Sequence, residues 1–248
     1  MKITIPSHKR SEQFKQKTYY LLKKHNFDSK DIYIFVSPES YEEYSKIFID
    51  CNVILSKNNI LDTRNHIIEF FDEGEQIVEL DDDVEDIVHT IKEVKSTSVE
   101  DLQEIFKDSF EKCKGGLWGM NATLTSNNFF ASGKDSIGLQ QLSIVNSCLG
   151  YYNRKDIKLT VPEKEDFERV ILFYKKDIPI LKRGQYGIKT KYWKNAGGIQ
   201  DRYDFEKRKE VQELSANMIM EQYPGHAYKS QRKNGIIDIK FIKNPLKK

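Results

Sequence analysis

Glu75-Gln76-Ile77-Val78-Glu79-Leu80-Asp81-Asp82-Asp83 is the stretch that decides how this chain reads. An apolar strand runs straight into three carboxylates. A parallel strand delivers the residues at its C-terminal end to the ligand-binding edge of a sheet. Three adjacent carboxylates repel one another, and that repulsion is tolerated cheaply only in open water or beside a cation. Glu85 and Asp86 continue the run, so a solvated acidic loop is the competing reading. The position at the end of a strand favours a metal site. Carboxylate oxygens suit hard ions such as Mg²⁺ or Mn²⁺, which bridge protein carboxylates to substrate phosphates.

Upstream of this stretch the chain alternates short apolar runs with helical patterns. Lys2-Ile3-Thr4-Ile5 reads as a strand ending at Pro6-Ser7, and residues 11–25 place Phe14, Thr18, Leu21 and Leu22 at helical spacing. Ile32-Tyr33-Ile34-Phe35-Val36 is a continuous apolar strand, and Pro38 can open the helix that carries Tyr41, Tyr44, Ile47 and Phe48. Asn52-Val53-Ile54-Leu55 is a third strand, residues 61–71 a third helix, and residues 75–80 the fourth strand. Strands separated by helices at this spacing predict an α/β fold with a mainly parallel sheet and helices on both faces.

Downstream of residue 95 the pattern changes. Ser98-Val99-Glu100-Asp101 resembles a capping box and predicts a helix that ends near Gly115-Gly116. Residues 117–124 and 141–149 read as strands around a polar loop, 125–138. A helix from about 162 to 175 follows, then a basic aromatic segment to Arg202, a helix over 204–222 and a last strand over 236–242. There is no internal repeat and no low-complexity linker. The expectation is therefore a single domain over 1–248, in two parts, 1–95 and an elaborated C-terminal part, 96–248.

Composition narrows the classes. With 38% apolar and 31% charged residues the chain is far from the disordered range, and it has no run of about 18 apolar residues to cross a bilayer. Met1-Lys2-Ile3-Thr4-Ile5-Pro6 is too quickly polar for a signal peptide, so a cytoplasmic location is expected, with no membrane and no obligate protein partner. Three widely spaced cysteines, Cys51, Cys113 and Cys148, fit reduced thiols. The net charge of +2 conceals an asymmetry: residues 1–100 hold 13 Lys and Arg against 20 Asp and Glu, and residues 101–248 hold 27 against 18. That division suggests an acidic site in the first part and an anionic partner for the second. Lysines (32) far outnumber arginines (8), which argues against planar phosphate recognition by all of them.

Three motifs together carry a resemblance. Ile5-Pro6-Ser7-His8-Lys9-Arg10 closes the first strand, Leu61-Asp62-Thr63-Arg64-Asn65 opens the third helix, and the Asp triplet follows the fourth strand. In order and spacing this resembles a GT-A (Rossmann-like) glycosyltransferase. The resemblance implies a UDP-sugar donor, with Pro6, Ser7, Arg10, Arg64, Asp81 and Asp82 on the nucleotide sugar. It also implies a DXD motif in which Asp83 and Asp81 hold Mn²⁺ or Mg²⁺. GT-A enzymes frequently add a C-terminal histidine to the metal, and His226 in Gln222-Tyr223-Pro224-Gly225-His226 is the candidate. In many of them a Glu-Asp pair heads a helix with an arginine shortly beyond. Glu165-Asp166 with Arg169 has that form, which implies Asp166, or failing it Glu165, as the general base; the bland reading of such carboxylates is helix capping.

Residues 174–194 hold seven Lys or Arg against the single acid Asp177, with Tyr174, Tyr186, Tyr192 and Trp193 interleaved. Cations that follow a phosphate backbone and rings that stack on an unpaired base suit nucleic acid. The same composition suits anionic glycans, and Lys182-Arg183-Gly184-Gln185-Tyr186-Gly187 also reads as a lid. Adding Gly119-Met120-Asn121-Ala122 and Thr190-Lys191-Tyr192 before Gly197-Gly198, the chain from Ile3 to about Arg202 resembles the TET/JBP-associated glycosyltransferases of tailed phages and related elements. That resemblance implies DNA modification: transfer of a sugar, with glucose expected, to hydroxymethylcytosine or hydroxymethyluracil, or to a sugar already on it. The location would then be the cytoplasm of a bacteriophage-infected host. Lys182, Arg183, Tyr186, Lys191, Tyr192 and Trp193 are the expected acceptor contacts. A glycosyltransferase acting on a polysaccharide, lipid or protein is the alternative, and a non-catalytic nucleic-acid-binding protein is disfavoured by the acidic triplet. Inversion and retention at the anomeric carbon both stay open, as does base flipping.

Overall fold

In the computed structural model, which describes residues 1–90, 96–121, 133–138, 147–190, 204–232 and 235–242, the opening residues alternate strand and helix as their pattern predicts. The elements are β1 (Lys2–Ser7), α1 (Ser11–Phe14) continuing through a π-helical turn (Lys15–Tyr19) into α2 (Tyr20–Lys24), β2 (Ile32–Val36), α3 (Pro38–Ile47), β3 (Asn52–Leu55), α4 (Ile60–Phe70) and β4 (Gln76–Leu80). Sequence gives each its start. Pro38 occupies the first turn of α3, and Asn59 caps α4 by accepting from the Asp62 amide. Strands β3, β2, β1 and β4 lie side by side and parallel. Their apolar runs feed two cores. Ile3, Ile5, Ile34, Val36, Val78 and Leu80 pack on one face with Phe14, Leu22 and Tyr44; Phe35 and Ile77 pack on the other with Ile67 and Ile68.

The sheet then continues across further elements, of which the strand from Leu117, the helices near 162–175 and 204–222 and the strand near 236–242 match the expectation. They are β5 (Asp86–Thr90), β6 (Ser96–Ser98), α5 (Leu102–Cys113), β7 (Leu117–Asn121), β8 (Ser136–Ile137), β9 (Cys148–Tyr152), α6 (Glu165–Lys175), β10 (Ile180–Lys189), α7 (Phe205–Gln222), β11 (Ala227–Gln231) and β12 (Ile237–Phe241). The strand order is β3-β2-β1-β4-β9-β7-β10-β5-β6, with β8 against β10, and β11 and β12 form a separate two-stranded ribbon. Strand β9 runs antiparallel between β4 and β7. This is a mostly parallel α/β sheet covered on both faces, and α7 with the ribbon adds a third core around Ile171, Ile219 and Ile239.

Several expectations are corrected here. The helix expected from Ser98 starts at Leu102, because Asp101 is the residue that accepts from the Glu104 amide, and Ser98 belongs to β6. The strand expected over 141–149 is described only from Cys148 and runs to Tyr152; residues 141–146 lie outside the described residues. The segment around Lys182 and Arg183, read as a lid or an acceptor loop, is an interior strand. Its Arg183 is matched by Asp108 and Asp135, distant in sequence, which a local pattern does not reveal. At Gly150 a Cβ would lie 2.4 Å from the buried Trp118 ring. Gly150→Ala is therefore expected to lower stability by about 1–3 kcal/mol through overpacking; an unchanged urea midpoint would refute that packing account.

Candidate active site

The site is built around a carboxylate that sequence reading passed over. Glu79 is fully buried on β4, one residue before the strand ends. It pairs with Arg64 from α4, with Arg169 from α6 at 2.6 Å, and accepts from the Tyr151 hydroxyl on β9. Burial pushes a carboxyl pKa up, but Arg169 and Arg64 overcome it and hold Glu79 at about 2. Its signal in the sequence was a lone acid inside an apolar strand.

Arg64 carries this cluster outward. Its Nη2 reaches Asp81 at 3.2 Å and its Nε reaches Glu165 at 3.4 Å. It is only 2% exposed. A direct nucleotide contact, as the resemblance implied, therefore does not fit its place: it lies behind the site and joins the end of β4 to the start of α6. Arg169 acts the same way from the other side, stacked on the Tyr151 ring at 4.7 Å.

The three aspartates divide their work. Asp82 turns back and is buried, accepting from Ser7 at the end of β1 and from Arg10 at 3.0 Å. Burial, against the pull of Arg10, raises its pKa to about 6. Ser7 also lies 2.7 Å from the Tyr44 hydroxyl, which accepts from the Arg10 amide. Pro6, beside it, is buried in β1. Asp83 is met by Thr190 at 3.1 Å and by Arg10 at 3.5 Å. Asp81 is a third exposed. Partial burial pushes it up, Arg64 pulls it down and Asp83 pushes it up again, so its net shift is upward. Thr18, in the π-helical turn, clamps both ends of the triplet: its hydroxyl donates to the Asp81 carbonyl and accepts from the Val84 amide. Such turns recur at functional sites. The sequence signal of Thr18 is only its place on a helix face.

A divalent cation is tested by what these residues offer. Asp81 and Asp83 supply hard oxygens, and the upward shift of Asp81, caused by burial first and by Asp83 as well, is of the kind a cation would relieve. The donor set fits a hard ion whose shell is completed by phosphate and water oxygens. Among the described residues no three His, Cys, Asp or Glu side chains are grouped to hold a metal, so His226 is not gathered with this pair. It is buried beside Tyr174, with Nδ1 3.1 Å from the Pro224 carbonyl, because the turn after α7 folds into the third core.

The start of α6 supplies the second group. Lys164 precedes it in the left-handed region (φ 63°), with no side-chain cap. Asp166 is 9% exposed. Burial first, and the neighbouring Glu165 second, raise its carboxyl to about 7. The other acids of this segment are structural. Glu163 receives Gln212 and Arg208 of α7, and Glu168 receives the Thr160 and Val161 amides and the Tyr223 hydroxyl.

The expected acceptor contacts fare unevenly. Arg183 is fully buried, paired with Asp108 at 2.7 Å and Asp135 at 3.1 Å and stacked on Tyr186, so it holds α5 to the sheet. Lys182 is buried as well, and burial lowers its pKa. Tyr186 is partly exposed beside His89. Lys191, Tyr192 and Trp193 lie outside the described residues.

With this geometry in place, comparison with known proteins is informative. Residues 1–122 match the TET-Associated Glycosyltransferase family. The match covers β1 through β7 and so includes Ser7, Arg10, Arg64, Glu79 and the aspartate triplet. Among solved structures, S. aureus TarS 1-349 in complex with UDP is similar at TM-score 0.52 and 14% identity over 89% of this chain and 66% of that one. The UDP-GlcNAc complex gives 0.53 and 15% over 89% and 67%. Glucosyl-3-phosphoglycerate synthase from Mycobacterium tuberculosis, in complex with UDP, gives 0.53 and 7% over 98% and 87%. This chain thus spans about two thirds of the TarS fragment and 40% of full-length TarS. No curated protein matches the sequence. At these identities the structural likeness establishes the fold, which is GT-A; family match and fold alike are those of glycosyltransferases.

Replacing Glu79 by Gln removes the carboxylate that Arg169 pairs with and the fully buried one of the three that Arg64 meets, and an expected loss of about 3 kcal/mol or more follows. The depressed carboxyl fixes the pH dependence. Its contribution is complete above the unfolded value near 4.5 and fades as pH falls toward about 2. The gap in urea stability between wild type and Glu79→Gln should therefore narrow on acidification; a gap that widens below pH 4.5 would overturn this account.

Proposed function

We propose that this chain is a metal-dependent glycosyltransferase that moves a sugar from a UDP-sugar to a hydroxymethylated pyrimidine, or to a sugar already on it, in DNA. The observation that carries the reading is the Arg64 bridge, 3.2 Å to Asp81 and 3.4 Å to Glu165, because it sets a carboxylate pair suited to a donor diphosphate beside a carboxylate suited to an acceptor. The acceptor class rests on the TET-associated match over residues 1–122 and on the excess of positive charge after residue 100. The UDP donor rests on the UDP-bound structures that share the fold.

The chemistry follows from the residues. A divalent cation on Asp81 and Asp83 would supply positive charge to the donor diphosphate. Arg10, paired with Asp82 and with Asp83, adds a fixed positive charge there. Asp166, with a carboxyl near 7, is in range to accept the proton of the acceptor hydroxyl at neutral pH. The freed oxygen attacks the anomeric carbon, the bond from that carbon to the UDP oxygen breaks, and UDP departs with the electron pair. A single displacement of this kind inverts the anomer.

Label from a panel of UDP-sugars, including UDP-glucose, should pass in the presence of Mn²⁺ or Mg²⁺ to DNA containing hydroxymethylcytosine, hydroxymethyluracil or their glucosides, and not to unmodified DNA. Metal-dependent hydrolysis of a UDP-sugar with no label on any DNA would discard the acceptor. Asp83→Ala should lose metal-dependent donor hydrolysis and transfer. Asp166→Asn should retain donor binding while transfer falls about 10²–10⁴-fold. The deprotonated base is the active form, so kcat/KM should rise with pH up to about 7 and then level off. A profile flat from pH 5 to 8 would remove Asp166 from this role, and a retained anomer in the NMR spectrum of fresh product would remove single displacement.

A further inference from the structure

Lys182 differs from the other buried cations of the sheet in that nothing beside it offsets its charge. It is 8% exposed on β10, and among the described residues it has no hydrogen-bond or ion-pair partner. Burial is the one influence on its pKa, which it lowers. Arg183, the next residue, points to the opposite face of the strand and is met there by Asp108 and Asp135. A buried charge without a partner is costly, so Lys182 calls for an anionic group that the described residues do not supply.

The sheet register locates this ammonium. Glu79 of β4 stands opposite Leu149 of β9, Leu149 opposite Gly119 of β7, Gly119 opposite Lys182, and Lys182 opposite Ser136 of β8. Directly opposed residues share a face, so the row lies on the face where Ile77, Leu117, Tyr151 and Ile180 pack with Val170 and Phe173 of α6. Three strand spacings, about 14 Å, separate Lys182 from Glu79. Gly119 has no side chain, so no side chain of the row fills the position between Leu149 and the lysine. Ser136 adds a second donor: its hydroxyl oxygen is buried and, among the described residues, has no hydrogen-bond partner. The segment that carries it is pressed onto β10 at Gly184, where a Cβ would lie 1.9 Å from the Lys134 carbonyl oxygen. Only glycine permits that approach, and the approach sets Ser136 beside Lys182.

We infer that Lys182 and Ser136 form a subsite for a phosphate group of the second substrate. This deepens the acceptor half of the proposed function and rests on it. An ammonium has three N–H donors and no acceptor, so its ligand must bring both oxygen acceptors and negative charge. Phosphate oxygens meet an ammonium and a hydroxyl together, in short charge-assisted hydrogen bonds. The donor diphosphate is not the source, because the aspartates proposed for it lie at the end of β4, three strands across the sheet. A nucleic acid and a phosphorylated small acceptor share the phosphate, and the arms of the test separate them.

The test uses the full chain with inorganic phosphate as the probe, followed by NMR at the Lys182 and Ser136 amides. Saturable shifts are expected there, with Kd raised at least about tenfold in Lys182→Met and about threefold in Ser136→Ala. Lys189→Gln, which removes an exposed lysine from the same strand, should leave Kd unchanged. Lys182→Met should melt at or above the wild-type temperature, since it removes an unpaired buried charge. In transfer assays its KM for a hydroxymethylpyrimidine oligonucleotide should rise at least about tenfold with kcat little changed, while KM for the phosphate-free nucleoside stays at the wild-type value. Phosphate should inhibit in competition with the oligonucleotide and not with the UDP-sugar. Phosphate shifts that are equal in wild type and Lys182→Met, or absent from both, would overturn the inference. So would a KM that rises equally for nucleoside and oligonucleotide, or inhibition in competition with the UDP-sugar. Saturable, Lys182-dependent phosphate binding with no transfer to any pyrimidine would discard the DNA acceptor alone and assign the subsite to a phosphorylated small acceptor.

Discussion

One buried carboxylate sets the arrangement of everything near it. Glu79 has no contact with solvent and is bound by two guanidinium groups, so the pocket around it holds one negative charge and two positive ones. A buried charge is strongly destabilising unless it is paired and hydrogen-bonded. The surplus positive charge must therefore be met by further acids, and Arg64 finds them in Asp81 and Glu165. Four elements, β4, β9, α4 and α6, are bound into this arrangement. The end of the strand that carries the aspartates and the start of the helix that carries Asp166 are adjacent because charge balance around Glu79 requires both.

The same logic explains how three consecutive aspartates coexist in a folded protein. Each meets a different set of partners, with Arg10 shared by two of them: Asp81 meets Arg64, Asp82 meets Ser7 and Arg10, and Asp83 meets Thr190 and Arg10. Only Asp82 is committed entirely to structure, since it is buried against the end of β1. Thr18 fixes the backbone on either side of the triplet through one hydroxyl, and the π-helical turn places it there. These contacts hold the loop in place in the unliganded structure, and pre-formed contacts of this kind lower the ordering cost of binding a ligand.

The first eighty residues were legible because their signals are local: continuous apolar strands, a proline and an asparagine that start helices, and a strand that runs into acids. The Glu165-Asp166 pair was legible for the same reason. What sequence reading missed depends on residues far apart in the chain. Strand β10 looks too basic for a sheet interior until Asp108 and Asp135 are seen to neutralise Arg183. Arg64 looks like a surface helix arginine until Glu79 is placed opposite it. The sequence of β11, Ala-Tyr-Lys-Ser-Gln, has no apolar run because one face of the ribbon is open to water. His226 was weighed as a ligand on its place after the last long helix, but the turn that holds it packs inward on Tyr174.

Arginine use bears on how an acceptor could be recognised. Seven of the eight arginines are in described residues, and each of the seven is paired with a carboxylate: Arg10, Arg64, Arg154, Arg169, Arg183, Arg208 and Arg232. For the buried three, Arg64, Arg169 and Arg183, the planar, two-pronged contact by which arginine reads guanine is committed within the protein. Lysines carry most of the remaining positive charge, and a lysine meets a phosphate as a point charge with little directional preference. A surface of this kind binds a polyanion without reading its base sequence. On the proposed reading of a DNA acceptor, discrimination then falls to the reacting group, at the junction of the aspartate-bearing end of β4 and the start of α6 that Arg64 holds together.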